Sequence, residues 1–393
     1  MADSTGHHGS PRPPRIQFIN LLRGWAVIVM VQTHVFNATA RPEILASPLF
    51  DVIRFIDGLV APSFLFASGM AYAVTTRRKI ADYLTFGRPL LRQLGRLLLI
   101  LGIGYLLHVP RFEFHHVMYV AGEEAWLRFF QADVLHCIAV SLLVLQVLLL
   151  ILRSERLLYR AAAVLALGIV AVTPVVWGID FLSILPAPVA AYMNSHHYSL
   201  FPLFPWAAFL LLGAVTGHLF MNARARAEEG AEGHFMRGLA AAAVGVLLLS
   251  LASAPFERLL YPVYDYWRTA PSFVFLRLAL VALILYGLFL YEKRRGVSAR
   301  SLVTLAGRES LLVYVAHLML IYGQFVGPSL AERTRGTFGY LESSAFTVAL
   351  VALMFGAALG WERLKKGPPR IKQGIQAAFV VALVLVFFFH RGA

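Results

Sequence analysis

A carboxamide, a guanidinium and an imidazole interrupt one apolar run near the N-terminus: Asn20, Arg23 and His34. Eleven residues separate Arg23 from His34, and at roughly 100° per residue that interval returns to within about 20° of the same helix face. Asn20 lies within about 60° of it, and about 16 Å of helix rise separates the guanidinium from the imidazole. One helix stripe therefore joins a cationic site at one end to an imidazole toward the other. An imidazole can serve as a general base or carry an acyl group as a nucleophile. A guanidinium offers a planar, permanently charged fork to phosphate or carboxylate.

A nearby carboxylate would fix the tautomer of such an imidazole and raise its basicity. Asp57 lies on the next apolar run, which reads in the opposite direction, at nearly the depth of His34 on its own run. The same depths fit a His34–Asp57 dyad or two polar residues facing different neighbours. Further candidates are Asp133 and His136, spaced i,i+3, then His108, and His317 with Ser310 and Tyr314 on nearly its face. His115, His116, His196 and His197 read as solvated loop residues. Arg96 and Arg308 lie with Arg23 at or inside the ends of apolar runs, where they could hold a phosphorylated ligand. No metal-ligand spacing occurs, and the single cysteine, Cys137, excludes an intrachain disulfide framework. Without a Walker loop or a dinucleotide-binding glycine fingerprint, nucleotide hydrolysis and hydride transfer are disfavoured.

The elements that must position these groups are set by composition. The 393 residues are 59% hydrophobic and 14% charged, with mean hydropathy +0.69, against roughly 25% charged in soluble domains. A water-soluble globule is excluded. The net charge of +14 comes in short clusters between apolar runs, a pattern of membrane topology rather than nucleic-acid binding. Runs long enough to span a bilayer occur near 18–39, 51–75, 90–109, 131–152, 160–179, 200–221, 236–254, 271–291, 301–326, 343–362 and 371–390. The expectation is an all-α polytopic membrane protein with about 11 spans: a disordered tail over residues 1–14 and a single domain over 15–393. Placing the N-terminus in the cytoplasm puts 22 Lys and Arg on that side and 8 on the other, so the C-terminus is expected outside. The length of the first run, and Arg23 and His34 within it, mark it as a retained helix rather than a signal peptide. Gly102 and Gly104 could pack helices within a chain or between the copies of a homodimer.

The stretch from Arg15 through Asn20, Arg23 and Gly24 to His34 resembles the opening helix of the transmembrane acyltransferases, with an R-x-x-x-I-D-x-L-R-G-x-A run and a His or Asn eleven residues beyond the Arg. Three more stretches are similar to the branch related to heparan-α-glucosaminide N-acetyltransferase: residues 55–69 with Asp57, Phe204-Pro205-Trp206 leading to Gly213 and Gly217, and Gly307-Arg308-Glu309-Ser310 through Tyr314 to His317. Residues 133–140 look like a degenerate copy of that branch's V-L-Q-R-I-A segment, with His136 and Cys137 replacing Gln and Arg. Asn20 stands where an acid is usual and keeps a hydrogen-bonding role. The lysosomal enzyme's active His follows the first helix, whereas no His occurs here between residues 35 and 50, and His34 matches the broader O-acyltransferase position.

The resemblance implies an acyltransferase that takes an acetyl or other acyl group from cytoplasmic acyl-CoA to a hydroxyl or amine of an extracytoplasmic sugar or glycan, with no metal. Arg23, helped by Arg96 or Arg308, would hold the donor; Asn20 and His136 would add contacts. His34 would be the general base or acyl carrier, with Asp57 orienting it. Tyr314, Ser310 or His317 would donate to the tetrahedral intermediate. The expected location is a bacterial inner (plasma) membrane, with the lipid bilayer as surroundings and no nucleic-acid partner. The competing class is a proton-coupled secondary transporter or exporter, which would have interrupted helices at matching positions in two halves.

Overall fold

In hydrocarbon, a long apolar run satisfies its backbone N–H and C=O groups most simply within a helix, and this chain does so throughout. The computed structural model describes residues 16–226, 228–261, 263–298, 301–324 and 328–389; the expected tail over 1–14 lies outside them. Among the described residues the fold is all-α, with one isolated bridge between Ala40 and Phe338. Among the same described residues nine helices are long and apolar enough to cross a membrane, and a bent pair, Leu302–Arg308 and Ser310–Tyr322, would make ten. The expected span at 51–75 is divided: Pro48–Asp57 ends at Gly58, and Val60–Leu84 begins after it. Val60–Leu84 is 25 residues long, but Ser63, Tyr72 and Thr76 make it more polar than a lipid-facing span, and all three are buried against other helices.

Small residues let the backbones meet. A Cβ on Gly69 would strike the Leu210 carbonyl, and one on Gly213 the Phe66 carbonyl, so Val60–Leu84 and Leu203–Arg224 cross in near-backbone contact. In the same way Gly24 faces the Val303 carbonyl, and Gly307 faces the Asn20 carbonyl. Such close approach is how helices associate where lipid competes for ordinary apolar contact. Gly104 is used within the chain, its α-carbon lying under the His136 ring, whereas Gly102 faces open space.

The opening helix, Gln17–Thr39, is the central element. It packs against Val60–Leu84, Pro271–Arg295, the bent pair and Tyr340–Lys366. Ile16 at its N-cap supplies no side-chain bond; instead the Glu292 carboxylate accepts from the backbone N–H groups of Gln17 at 3.1 Å and Phe18 at 2.6 Å. That carboxylate satisfies two otherwise orphaned donors and meets the positive end of the helix dipole. At the other end the Thr39 carbonyl accepts from the backbone N–H groups of Thr337 and Phe338, and Thr39 Oγ1 lies 3.2 Å from Ser343 Oγ. Both ends are thus pinned by distant segments, which fixes the rotation that aims Arg23 and His34. By contrast, Pro369–Phe389 buries none of its residues.

Candidate active site

His34 lines a cavity of about 1140 Å³, together with Asp57, Asp133 and Tyr314. Its Nδ1 lies 3.0 Å from His317 Nε2, and Tyr322 donates from its hydroxyl to the His34 backbone carbonyl at 3.3 Å. His317 Nδ1 in turn lies 2.7 Å from the Val313 carbonyl. A carbonyl can only accept, so the network assigns the His317 proton to Nδ1 and leaves its Nε2 as an acceptor. The shared contact then needs a proton on His34 Nδ1. On that assignment His34 Nε2 keeps its lone pair and makes no hydrogen bond to another side chain among the described residues, while the Met30 carbonyl one turn earlier also interacts with the ring. A helix carbonyl, acting through a second imidazole, holds the first in the tautomer that a general base requires.

Asp57 comes from the end of Pro48–Asp57 onto the same cavity. One of its carboxylate oxygens is buried with no hydrogen-bond partner among the described residues, while Thr33 and Gln32 flank it. The ring partner of His34 is therefore His317, and Asp57 stands as a separate carboxylate on the same cavity. The carboxylate that is fully engaged is Asp133. It caps Val134–Leu152, accepts from the Tyr314 hydroxyl at 2.6 Å and accepts from the Val134 N–H. The Tyr314 hydroxyl spends its hydrogen bond on Asp133, so it is not a free donor to an oxyanion. Both nitrogens of His317 are engaged as well.

His136 closes the same cap from the other side: its Nδ1 accepts from the Asp133 backbone N–H at 3.2 Å. Its ring packs on Tyr105 with centroids 4.3 Å apart and is fully buried off the cavity lining. The i,i+3 spacing of Asp133 and His136 is thus that of a capping box.

Toward the opposite end of the opening helix, Arg23 Nη2 donates to Ser310 Oγ at 2.6 Å, and Arg23 Nε is buried without a partner among the described residues. Asn20 Nδ2 donates to Gln17 Oε1 at 3.2 Å. Ser310 reaches Arg23 because the bent pair turns by 86° at Glu309. The expected arginine cluster does not assemble around this point. Arg308 pairs with Glu362 at 2.8 Å on the Tyr340–Lys366 helix, where Lys366 also reaches Glu362. Arg96 is exposed on Arg88–Leu106.

The wall also holds groups that spacing along the chain did not single out: Trp206, Gln131, Gln324, Arg111 and Tyr322. Trp206 was visible only as part of the Phe204-Pro205-Trp206 stretch. The others lie in loops or at helix ends, where no periodicity points to a shared space. Away from the cavity lining, Asn194 Nδ2 donates to the Val176 and Ile179 carbonyls. His197 Nε2 lies 2.9 Å from Asp180 and holds that carboxyl below the usual carboxylate range.

A family profile described as heparan-alpha-glucosaminide N-acetyltransferase, catalytic, matches residues 15–255. That stretch contains Arg23, His34, Asp57 and Asp133, while Ser310, Tyr314 and His317 come from beyond it. No curated protein gives a significant match.

Proposed function

Because the chain belongs to the heparan-alpha-glucosaminide N-acetyltransferase catalytic family, we propose that it moves an acetyl or other acyl group from cytoplasmic acyl-CoA to a hydroxyl or amine of an extracytoplasmic sugar or glycan. The observation that carries this reading is the relay from the Val313 carbonyl through His317 to His34, which leaves an accessible basic nitrogen on a cavity. His34 Nε2 takes the proton of the acceptor hydroxyl or amine as its oxygen or nitrogen bonds to the acyl carbon. The carbon–sulfur bond of the thioester then breaks, and CoA leaves as the thiol by taking up that proton. His317 supports the imidazolium that forms between these steps. Asp57, whose buried oxygen lacks a partner, accepts a hydrogen bond from the incoming acceptor. The indole N–H of Trp206, unengaged among the described residues, is a donor for the developing oxyanion. At the other end Arg23, held by Ser310, binds donor phosphate, and the extended pantetheine arm spans the distance to His34.

Acetyl transfer to simple sugars and amino sugars by the protein in proteoliposomes tests this, with wild type beside His34→Gln. Transfer lost in the variant at unchanged melting temperature supports the reading. Equal transfer by both removes His34 from the chemistry. The 86° break at Glu309 is a feature shared with transporters, so uptake of the same sugars into sealed vesicles is the second readout. A transporter built from two equivalent halves would have a matching break; among the described residues one bent pair occurs.

A further inference from the structure

The His34 cavity is larger than transfer of an acetyl group to a sugar requires. Its 1140 Å³ exceeds the roughly 300–1,000 Å³ of pockets that hold drug-sized ligands. Its wall is mostly apolar away from His34, Asp57 and Asp133, and one side is thin. There it is formed by Ile103 and Leu106 from Arg88–Leu106 and by Phe379 and Leu383 from Pro369–Phe389. The latter helix has no buried residue, and its far end is held by aromatic contacts of Phe387 and Phe388 with Phe112 and Phe114. Its Phe379 and Leu383 therefore form a single layer between the site and the lipid.

The mouth has a matching chemistry. Arg111 lines the cavity, is exposed, and makes no hydrogen bond or contact ion pair among the described residues, its nearest counter-charge being the Glu332 carboxylate, on which it acts at longer range. It sits at φ 50° in the turn Pro110–Phe112, a left-handed conformation unfavourable for a side chain of its size. Arg128, by contrast, is paired with Glu124 at 2.9 Å. Val52 and Phe55 of Pro48–Asp57, the helix that brings Asp57 to the cavity, and Met118 and Tyr119, a few residues beyond Arg111, expose large apolar groups, as segments seated in a headgroup region do.

Resting on the acyl-transfer reading, we propose that the acceptor is a lipid-linked sugar with an anionic linking group. Its hydrocarbon chain enters sideways between Arg88–Leu106 and Pro369–Phe389, and Arg111 meets the anion. A cation free of any contact carboxylate, an apolar chamber and a thin wall fit an amphipathic phosphate ester better than a free oligosaccharide, which has no use for the apolar wall.

The test uses the full chain in nanodiscs with two photoreactive probes, a diazirine-bearing dialkyl phosphate and its uncharged dialkyl counterpart. Expected is labelling of the cavity-lining residues Ile103, Leu106, Phe379 and Leu383. Arg111→Ala should reduce it about fivefold for the phosphate probe, the worth of one basic residue at a lipid surface, and leave the neutral probe unchanged. Leu383→Trp, which narrows the gap on an otherwise lipid-facing helix, should reduce labelling by both. Labelling spread evenly over all outward helix faces overturns the proposal. So does cavity labelling displaced by palmitoyl-CoA and untouched by excess dialkyl phosphate, because the chain would then belong to the donor. Cavity labelling without acetyl transfer to any acceptor, lipid-linked or free, supports the lipid path and overturns the acyltransferase reading on which the acceptor's identity rests. Transfer to free sugars with no cavity labelling overturns the lipid path alone.

Discussion

At the scale of residues, the proposed mechanism divides the work along one helix between His34 and Arg23, and each proposed role predicts a separable defect. General-base catalysis contributes typically about 10²–10⁴ in rate, so His34→Gln should lower kcat by that order in steady-state acetyl transfer, with little change in melting temperature. His317→Leu removes the acceptor for His34 Nδ1–H and frees the ring to choose its tautomer. It should lower kcat, and His317→Gln, which can still accept through its amide oxygen, should recover part of the loss. Arg23→Ala should instead abolish stabilisation by the donor. A ligand at a hundredfold excess over Kd contributes about 2.7 kcal/mol to apparent stability, and the variant should show no shift in Tm with acetyl-CoA. His34 and Arg23 could be read from spacing because eleven residues bring a helix back to one face. The His34–His317 contact could not, since 283 residues separate the partners and no local pattern encodes their approach.

At the scale of elements, the opening helix is registered by contacts at its ends. Glu292 caps it from the far end of Pro271–Arg295, so Glu292→Ala should destabilise the protein by about 0.5–2 kcal/mol, the usual range for a lost N-cap, and Glu292→Gln by less. Thermal unfolding in detergent measures both. Gly307→Ala places a methyl against the Asn20 carbonyl, an overpacking of about 1–3 kcal/mol. It should also lower the donor-induced Tm shift, because Ser310 rides on the same bent pair and holds Arg23. The break at Glu309 falls inside what hydropathy reads as a single span over 301–326, at its one polar stretch, Arg308-Glu309-Ser310. Hydropathy averages over such a bend, whereas the fit of Gly307 against the opening helix requires it.

At the scale of the whole molecule, the positive charges predict a cytoplasmic N-terminus and an extracytoplasmic C-terminus. Cys137 is buried, so wild-type protein in sealed vesicles should resist membrane-impermeant maleimide, a clean background for single cysteines at either end. A cysteine at Ala2 should label only from the cytoplasmic side and one at Ala393 only from the other. Labelling of both from one side would require an even number of crossings. Val60–Leu84 and the bent pair are the elements on which that parity turns, the former because its polarity is compatible with a membrane only inside the bundle that buries it, the latter because it crosses only if its two halves act as one span.

Composition and spacing by themselves determined an all-helical membrane chain and the shared face of Arg23 and His34; the likeness to membrane acyltransferases rests instead on motifs such as the stretch from Arg15 to His34. Hydrophobic transfer and helix periodicity are local quantities, summed along a run. Tertiary structure alone decided that His317 rather than Asp57 holds the His34 ring, that His136 closes a helix cap, and that Arg308 is neutralised by Glu362. Each of these depends on which helices cross and at what rotation. That is set by glycine contacts and end caps between residues far apart in the chain, and the periodicity of any single helix does not contain it.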